Sequence, residues 1–431
     1  MIAALASKGL LPGNEERFAP EGKPFSDGET AAPQVILFEK NENLGVKVLL
    51  SGGGRCNVTT GISDIKKILE NYPRGAKFLR TAMYAFSPQK VIYMLRKGGV
   101  KMKTEEDNRV FPASNDGKSV VGFLEERLKE AGVELVLNEQ VLIIEKDGEG
   151  FSIRTRNAKE YKVDKVIITT GGSAYKQTGS TGDGYTFAEK LGHTITPPAP
   201  SLSAFVLEPV TEGILGVKGL PAGVSFPKVA LKVEFSGSGG KIYQRTGPVL
   251  FTHTGITGPA VFALSSMAAY QKIDKENFGM LYADFFPDES AEVLEKRLLG
   301  LLNGHGKKRL INILDMILPN SFCDLFSKVC ELNASFSSDL RGAEIGREQR
   351  KIIIKNLKSF PVKVTGRAAG EEFVTAGGVD LSEVDHKTMQ SKIVPGLYFA
   401  GEILDVDGFT GGFNLQAAWA TGYLAGRSAA V

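Results

Sequence analysis

The residues best suited to chemistry lie in the last fifth of the 431-residue chain. The apolar run Leu397–Ala400 follows a Pro-Gly turn signal and ends at Gly401 and Glu402, which predicts a buried strand with a carboxylate at its carboxyl end. Gly411 and Gly412 then begin a helix rich in small residues, whose N-terminus favours negative charge on a ligand. Ligands bind at this edge of a parallel α/β sheet, so the pattern predicts a site for a flat, partly anionic molecule.

A second candidate site is the segment Ser51–Asn57. Its three successive glycines exclude the interior of a helix or strand and predict a loop whose amides are open to a ligand. Arg55 offers a planar fork for a phosphate or a carbonyl group. We expect Asn57 to hold the loop or to cap a helix. For Cys56 we expect a small buried side chain, and contact with a ligand is the alternative.

Two further apolar runs end in residues that suit a ligand edge. Val35–Phe38 is followed by Glu39, which in a dinucleotide fold accepts hydrogen bonds from ribose hydroxyls. An ordinary carboxylate at the end of a strand is the alternative for Glu39. The run 166–170 predicts a buried strand that ends in the pair Gly171 and Gly172.

No nucleophile, base and acid occur in one motif, as suits a protein whose cofactor performs the chemistry. His253, within Phe251–Gly255, is the first candidate for a residue that protonates or orients a substrate, because imidazole titrates near neutral pH. A purely structural histidine is the alternative. Tyr175 is the second candidate, since its hydroxyl could polarise a substrate carbonyl.

Three sets of blocks resemble a known family. They are residues 375–379, 395–402 and 408–422, then residues 38–45 and 47–57, and finally residues 250–259. These blocks resemble the two-dinucleotide-binding-domain flavoproteins and, more narrowly, the bacterial FAD-dependent oxidoreductases that include the 3-dehydro-bile-acid reductases and the aminoacetone oxidases. The resemblance implies FAD as cofactor, with NAD(P)H as electron donor. It implies cofactor contacts from Glu39, Lys47, Ser51, Gly52, Gly53, Gly54, Arg55, Cys56, Asn57, Gly171, Gly172, Gly401, Glu402, Asp407, Gly411, Gly412, Phe413 and Asn414.

The resemblance also implies an oxidoreductase that acts on CH–CH bonds. We expect hydride transfer from flavin N5 to a conjugated C=C bond of a 3-oxo steroid or bile-acid-like substrate, although family resemblance does not fix the substrate. One alternative is an oxidase that uses O₂ on a small amine such as aminoacetone. Another, from a different class, is a non-catalytic, degenerate binding protein.

The resemblance departs from the family at the N-terminus. Family members begin with a strand and a G-x-G-x-x-G turn, whereas residues 1–9 resemble the middle of the helix that follows this turn. Residues 10–34 then form a stretch rich in Gly, Pro and Glu. A truncated gene product and a natural degenerate with weakened FAD binding are the two interpretations of this departure.

Bulk composition narrows the class of protein. At 431 residues with 42% hydrophobic content, the chain suits a globular protein of two or three domains. Without an apolar run of about 20 residues or a recognisable signal peptide, we expect a cytoplasmic protein that does not span a membrane. A net charge of +3 without a sustained basic patch predicts no nucleic-acid partner. Four scattered histidines and three cysteines predict neither a metal site nor a disulfide framework.

The order of the patterns predicts an α/β fold in which an inserted β-barrel interrupts a Rossmann-like FAD-binding domain and carries a helical subdomain. The predicted divisions are 1–192 with 366–431 for FAD binding, 193–287 with 358–365 for the barrel, and 288–357 for the helices. Within the first part, short apolar runs between residues 134 and 170 predict a β-meander. The oligomeric state is not predicted.

Overall fold

A computed structural model describes residues 1–11, 33–208, 220–237, 239–332, 336–368, 370 and 372–431. The helices are α1 (Ile2–Ser7), α2 (Val46–Leu50), α3 (Ile65–Leu69), α4 (Ala76–Ala85), α5 (Pro88–Lys97), α6 (Lys118–Glu130), α7 (Asp183–Lys190), α8 (Pro259–Met267), α9 (Ala291–Gly304), α10 (Leu310–Leu314), α11 (Asn320–Glu331), α12 (Arg347–Lys358) and α13 (Phe413–Ala429). The strands are β1 (Ile36–Phe38), β2 (Thr59–Thr60), β3 (Met102–Thr104), β4 (Arg109–Pro112), β5 (Glu134–Val136), β6 (Val141–Asp147), β7 (Gly150–Thr155), β8 (Glu160–Val163), β9 (Val166–Ile168), β10 (Ile195–Ser201), β11 (Phe205–Glu208), β12 (Ser225–Phe235), β13 (Ile242–Phe251), β14 (Gly255–Thr257), β15 (Gly279–Asp284), β16 (Phe360–Arg367), β17 (Val374–Val379) and β18 (Leu397–Phe399).

The chain divides into two compact units, Met1–Ala199 with Phe373–Val431 and Pro200–Glu372. The interrupted α/β fold predicted from the sequence is confirmed. The second unit contains a closed barrel, and in the order of the chain its residues separate the two segments of the Rossmann-like first unit. Most of the Gly/Pro/Glu-rich stretch predicted over residues 10–34 lies outside the described residues. In the described part of the chain, no helix is long and apolar enough to cross a membrane.

Parallel strand pairs form the framework of the first unit. β1 pairs with β5, and β9 pairs with β18 so that Leu397 lies opposite Val166 and Phe399 opposite Ile168. Both members of the second pair are apolar and end in register, which brings their glycine-rich continuations to one edge. The predicted β-meander is wrong in extent. Only β6, β7 and β8 form it, because β5 and β9 are taken by the parallel partners.

Helix α13 packs through small residues. Gly422 and Gly426 lie one turn apart, and a Cβ atom at Gly426 would stand 2.1 Å from the carbonyl oxygen of Ala3 in α1. The Ser7 hydroxyl donates to the carbonyl of Gly426 at 3.0 Å, which fixes the same contact from the other side. The close approach of α1 and α13 therefore depends on the absence of a side chain at Gly426.

The second unit is a barrel with strand order β11-β14-β13-β12-β15-β16. Alternate residues of β12 point inward, and Val229, Leu231, Val233 and Phe235 are all buried, as the period of a strand requires. The helices α9 to α12 follow β15 in the chain, and α11 contributes Phe322 to the aromatic cluster of Phe226, Phe285 and Phe360 with ring centroids 4.5–5.7 Å apart. Helices and barrel thus share one core.

Truncation of Phe322 should destabilise the second unit. Phe322→Ala removes a fully buried ring from the aromatic cluster, and such a cavity lowers the free energy of unfolding by about 3–5 kcal/mol. Urea unfolding followed by the near-ultraviolet signal of the aromatic residues measures the change. Leu299→Ala on α9, at a side chain that is 39% exposed, is the matched control and should change the midpoint little. Equal losses in the two variants would contradict a shared aromatic core.

Candidate functional site

Glycine-rich turns follow the two parallel strands that end together. After β9 come Gly171 and Gly172, and after β18 comes Gly401, with positive φ of 77° at Gly171 and 80° at Gly401. A Cβ atom at Gly172 would lie 2.6 Å from the hydroxyl oxygen of Thr375 and 3.0 Å from Oε1 of Glu402. The structure therefore brings together Gly171, Gly172, Gly401 and Glu402 at the edge where the sequence predicted a ligand.

Thr375 organises this edge. Its hydroxyl oxygen accepts from the backbone N–H groups of Ser173 at 2.8 Å and Ala174 at 3.0 Å, and its own N–H donates to Glu402 Oε1 at 2.9 Å. The other carboxylate oxygen of Glu402 accepts from Lys47 Nζ at 2.6 Å. A carboxylate has about four acceptor positions, so Glu402 keeps capacity to accept from ligand hydroxyls.

The predicted loop Ser51–Asn57 is a loop. Gly52, Gly53 and Gly54 all have left-handed φ, of 60°, 69° and 88°, and Cys56 has φ of 61°. Arg55 lies 4.0 Å above the Phe111 ring and pairs with Glu105 at 2.7 Å, so its guanidinium is held in place. Glycine adopts these left-handed backbone angles without strain. At Gly53, no atom lies within 4 Å of the position that a Cβ atom would take.

Cys56 is fully buried, and burial raises the pKa of its thiol to about 11, with a hydrogen bond to Ser51 opposing the shift. A thiol of that pKa stays protonated at neutral pH, and its burial fits a small packing residue, while contact of Cys56 with a cofactor stays a prediction. Cys323 and Cys330 are also buried, and desolvation raises the pKa of each thiol to about 12.

The N-terminus of α13 is fixed by contacts to earlier segments. Gly412 has φ of 87°, and a Cβ atom there would stand 2.3 Å from the carbonyl oxygen of Thr59. When both ends of the Asn57 amide are paired, its oxygen accepts from the N–H of Gly412 at 2.9 Å. The Tyr72 hydroxyl donates to the Phe413 carbonyl at 2.6 Å. The amides of residues 413–415 precede the first intrahelical bond, in which the N–H of Gln416 donates to the Gly412 carbonyl at 3.0 Å, so they have no partners within the helix.

Two residues that were predicted to contact the cofactor, Asp407 and Asn414, hold the loop before α13. Asn414 closes a ring with Gly408, accepting from its N–H and donating to its carbonyl, both at 2.8 Å. Asp407 is fully buried and paired with Arg74, whose Nε lies 2.5 Å from Oδ1. These side chains shape the loop, and a direct contact with a cofactor stays a prediction for each of them.

The carboxyl end of β1 is tied to the loop that follows β9. Glu39 accepts from the backbone and side-chain nitrogens of Asn41 at 2.9 and 2.8 Å, and Lys40 pairs with Asp183 at 2.8 Å. Burial alone would raise the pKa of Asp183, but the hydrogen bonds from Lys40 and Thr181 lower it below its usual value. Asp183 is also the first residue of α7, so the carboxylate that pairs with Lys40 lies in the first turn of that helix.

The two candidate catalytic residues lie in different units. Tyr175 has a left-handed φ of 57°, a strained value for a non-glycine residue, and follows Ala174, whose carbonyl accepts from Lys47 at 3.4 Å. Its ring lies 5.7 Å from that of Phe373. His253 lies in the exposed turn between β13 and β14 in the second unit. Within the first unit, Tyr175 is therefore the candidate beside the Lys47–Glu402 pair.

Several residues of this site were not predicted individually. Thr375, Arg74 and Tyr72 hold its parts together, and the buried Gln416 accepts from Thr59 at 2.6 Å while it donates to Phe86 at 2.8 Å. Thr375 is the first residue of the motif 375–379, which also contains two glycines. Its place in that motif was the sequence signal that could have identified it as a site residue. Trp419 is buried and donates to the Val58 carbonyl at 2.8 Å, so it packs within the first unit.

The arrangement fits parts of an FAD molecule. Glu402 can accept from the hydroxyls of a ribityl chain, the space at the Cβ position of Gly53 is open, and the first turn of the 17-residue helix α13 favours negative charge. Among the described residues, no group of three or more His, Cys, Asp or Glu is arranged to hold a metal ion. A cavity of about 550 Å³ lined by Lys232, Arg245 and Asp284 lies wholly in the second unit, apart from this set of residues.

Comparison with known proteins identifies a family that covers most of the chain. Residues 27–428 match the HI0933-like protein Rossmann domain. The 3-dehydro-bile acid delta(4,6)-reductase of Clostridium scindens is 30% identical over 407 residues, 94% of each chain, and a ribosomal RNA dihydrouridine synthase of Escherichia coli K12 is 28% identical over 397 residues, 91% of each chain. A solved 3-ketosteroid-delta4-(5alpha)-dehydrogenase of Rhodococcus jostii RHA1 is 15% identical, covers 100% of this chain and 94% of its own, and gives a TM-score of 0.45.

Removal of the Thr375 hydroxyl should loosen the edge. Thr375→Val keeps the shape of the side chain but leaves the amides of Ser173 and Ala174 without their acceptor, which should lower the free energy of unfolding by about 1–3 kcal/mol. Thr375→Ser keeps the hydroxyl and is the matched control. Urea unfolding of both variants measures the difference, and a Val variant as stable as the Ser variant would show that water replaces the hydroxyl.

The thiols should be inert in the native protein. Because burial protects all three cysteines and raises their pKa values to about 11 or 12, a disulfide reagent at pH near 8 should label none of them before unfolding and all three in guanidinium. Absorbance of the released thiolate counts them. Rapid labelling of one thiol in the native protein, lost in Cys56→Ala, would contradict the packing role of Cys56.

Proposed function

The chain belongs to the HI0933-like Rossmann-domain family, and from this membership and the Lys47–Glu402 edge we propose that it uses FAD to reduce a C=C bond conjugated with a carbonyl group. FAD-dependent oxidoreduction is the broad activity, and the conjugated C=C bond is the finer part of the proposal. The proposal takes NAD(P)H as the source of electrons.

The observation that carries the finer proposal is a bond change shared by two relatives with different substrates. A bile-acid delta(4,6)-reductase is named for C=C bonds conjugated with a 3-oxo group. A dihydrouridine synthase is named for uridine that has gained hydrogen across its ring C=C bond, which is conjugated with a carbonyl. An enzyme that reduces this type of bond needs a hydride source and a hydrogen-bond donor to the carbonyl oxygen, and it needs no protein nucleophile. The absence of a nucleophile, base and acid motif in the sequence fits that requirement.

When bound, FAD would supply the hydride from N5 of the reduced ring. Glu402 would accept from ribityl hydroxyls, and Lys47 would orient the Glu402 carboxylate through the pair at 2.6 Å. The N-terminus of α13 would favour the negative charge of the reduced ring. Tyr175 would donate a hydrogen bond from Oη to the substrate carbonyl oxygen while hydride is added to the β-carbon, and its place next to Ala174, whose carbonyl accepts from Lys47, supports that role. An acid must also supply a proton to the α-carbon, and the candidates for that acid are His253, the first candidate from the sequence, and Tyr175.

The first substrate class to test is a 3-oxo steroid or bile-acid-like enone. Uridine in RNA is a second candidate, favoured by a surplus of exposed Lys and Arg on α4 and α5. An amine oxidase of the aminoacetone type and a non-catalytic binding protein are the competing functions. Electron flow separates them, since an oxidase forms H₂O₂ from the amine without NAD(P)H and a binding protein reduces nothing.

The visible spectrum of the purified full chain tests the function. Saturation with FAD should give flavin absorption that bleaches anaerobically on addition of NAD(P)H and returns on addition of a 3-oxo-4-ene steroid or of uridine-containing RNA. H₂O₂ release with aminoacetone and no NAD(P)H would favour the oxidase. A flavin spectrum that neither NAD(P)H nor aminoacetone changes would favour the non-catalytic protein.

Glu402→Gln should weaken FAD binding. Loss of the charge removes charge-assisted hydrogen bonds worth about 1.5–3 kcal/mol, roughly a tenfold to hundredfold rise in the Kd for FAD. Quenching of flavin fluorescence measures the Kd. Glu145→Gln, in the exposed pair with Arg154, is the matched control and should leave the Kd unchanged.

Tyr175→Phe and His253→Gln separate the two candidate proton donors. If Tyr175 donates to the substrate carbonyl, the Phe variant should lose about 10²-fold or more in kcat with an unchanged FAD spectrum, and the Gln variant should keep its kcat. Anaerobic stopped-flow reoxidation by the enone measures the chemical step. The opposite ranking would assign the proton to His253.

A further inference from the structure

Positive charge is concentrated in one segment of the first unit. Residues 71–104 contain eight Lys and Arg and no Asp or Glu, whereas the other residues of the chain contain 44 Lys and Arg and 49 Asp and Glu. The segment therefore has a net charge of +8 and the remainder a net charge of −5. The net charge of +3, from which we predicted no nucleic-acid partner, hides this local surplus.

Most of these cations are exposed and have no carboxylate partner. Arg74 is neutralised by Asp407, but Lys77, Arg80, Arg96 and Lys97 are exposed and none of them forms an ion pair with a described residue. Lys101, after α5, is also exposed and forms no ion pair with a described residue. Charges that are not balanced within the protein are available to an anionic partner.

Two tyrosines accompany these cations. Tyr84 is 53% exposed and Tyr93 49% exposed. On α4, Lys77, Arg80 and Tyr84 recur at helical spacing, and on α5 Tyr93 is followed by Arg96 and Lys97 three and four residues later. Each helix thus presents an aromatic ring beside cations on its exposed side, with Lys97 Nζ 5.7 Å from the Tyr93 ring centroid.

A cleft adjoins the end of α5. It has a volume of about 580 Å³ and is lined by Arg96, Lys101 and the backbone of Gly99. Arg96 reaches the Met102 carbonyl at 3.4 Å, so part of its guanidinium fork stays open to the cleft. Val100, Met102 and Ala113 complete the lining of the cleft, so a phosphate group there would be bound by the side chains of Arg96 and Lys101.

We propose that the exposed sides of α4 and α5, with Lys77, Arg80, Tyr84, Tyr93, Lys97 and the Arg96–Lys101 cleft, bind single-stranded RNA. This set is called the basic face. Cations that neutralise backbone phosphates and aromatic rings that stack on unpaired bases are the two elements of single-strand recognition, and both occur here. The proposal concerns binding, and it stands whether or not the chain reduces the RNA that it binds.

The basic face suits RNA better than a membrane surface. Helices that insert into a bilayer interface carry an apolar side toward the lipid. The apolar residues of these helices, Leu79 and Met83 on α4 and Val91 and Leu95 on α5, are buried in the protein. What remains outside is charge and tyrosine, which matches an aqueous polyanion with exposed bases.

Fluorescence anisotropy of the full chain with a labelled single-stranded RNA of about 12 nucleotides tests the proposal, at about 50 mM and about 200 mM KCl. Wild-type protein should bind at the lower salt and weaken as salt rises. Lys77→Glu combined with Arg80→Glu should raise the Kd about tenfold or more and flatten the salt dependence by about 1.4 in log–log slope, for two lost phosphate contacts. Tyr84→Ala combined with Tyr93→Ala should raise the Kd about fivefold or more.

Matched controls make the test specific. Lys296→Glu combined with Lys355→Glu, on exposed positions of α9 and α12, changes the net charge equally and should leave the Kd within about twofold. Circular dichroism checks that every variant is folded, and flavin bleaching by NAD(P)H should be unchanged because no residue of the basic face belongs to the flavin site. Failure of that bleaching in wild type would count against the proposed reductase alone.

Three results would overturn the proposal. They are no RNA binding by wild type at the lower salt, equal losses in the face and control variants, and tighter binding to the same sequence as DNA. Binding to phosphatidylserine vesicles without binding to RNA would assign the face to a lipid surface and would overturn it as well.

Discussion

The Lys47–Glu402 pair is the interaction on which the candidate site depends. Glu402 also accepts from the N–H of Thr375, and the Thr375 hydroxyl accepts from two amides of the loop after β9. Residues far apart in the chain therefore converge on one partly buried carboxylate. The ion pair and the hydrogen bond orient the Glu402 carboxylate, and Thr375 connects that carboxylate to the loop after β9.

Much of this arrangement could be predicted from local patterns. The apolar runs at β9 and β18 and the glycines after them carry their own signal, because a buried strand and a turn are decided by residues close in sequence. The partners of β5 and β9 could not be predicted, since strands of three residues carry no information about which distant strand they join. Arg74 and Asp407 illustrate the same limit, as they are 333 positions apart and neither has a local pattern that points to the other.

The basic residues of the first unit fall into two groups with different physical roles. Lys40, Lys47, Arg55 and Arg74 each face a carboxylate, and their charges are used within the fold to orient loops. The cations of the basic face have no such partner among the described residues, so they do little for the stability of the fold and leave a field that acts on the surroundings. A net charge summed over the chain cannot distinguish these groups, because it ignores where the charges lie and whether they are paired.

The triple-glycine loop makes the chain unusually sensitive to mutation at exposed positions. Surface residues normally accept substitution with little effect, yet Gly52, Gly53 and Gly54 have backbone angles that a side chain disfavours by about 1–2 kcal/mol each. Every nucleotide change in the first two positions of these three codons replaces glycine. Six of the nine bases that encode these glycines therefore form a small target in which every missense change strains the loop, and purifying selection should act on these six bases where the loop is used.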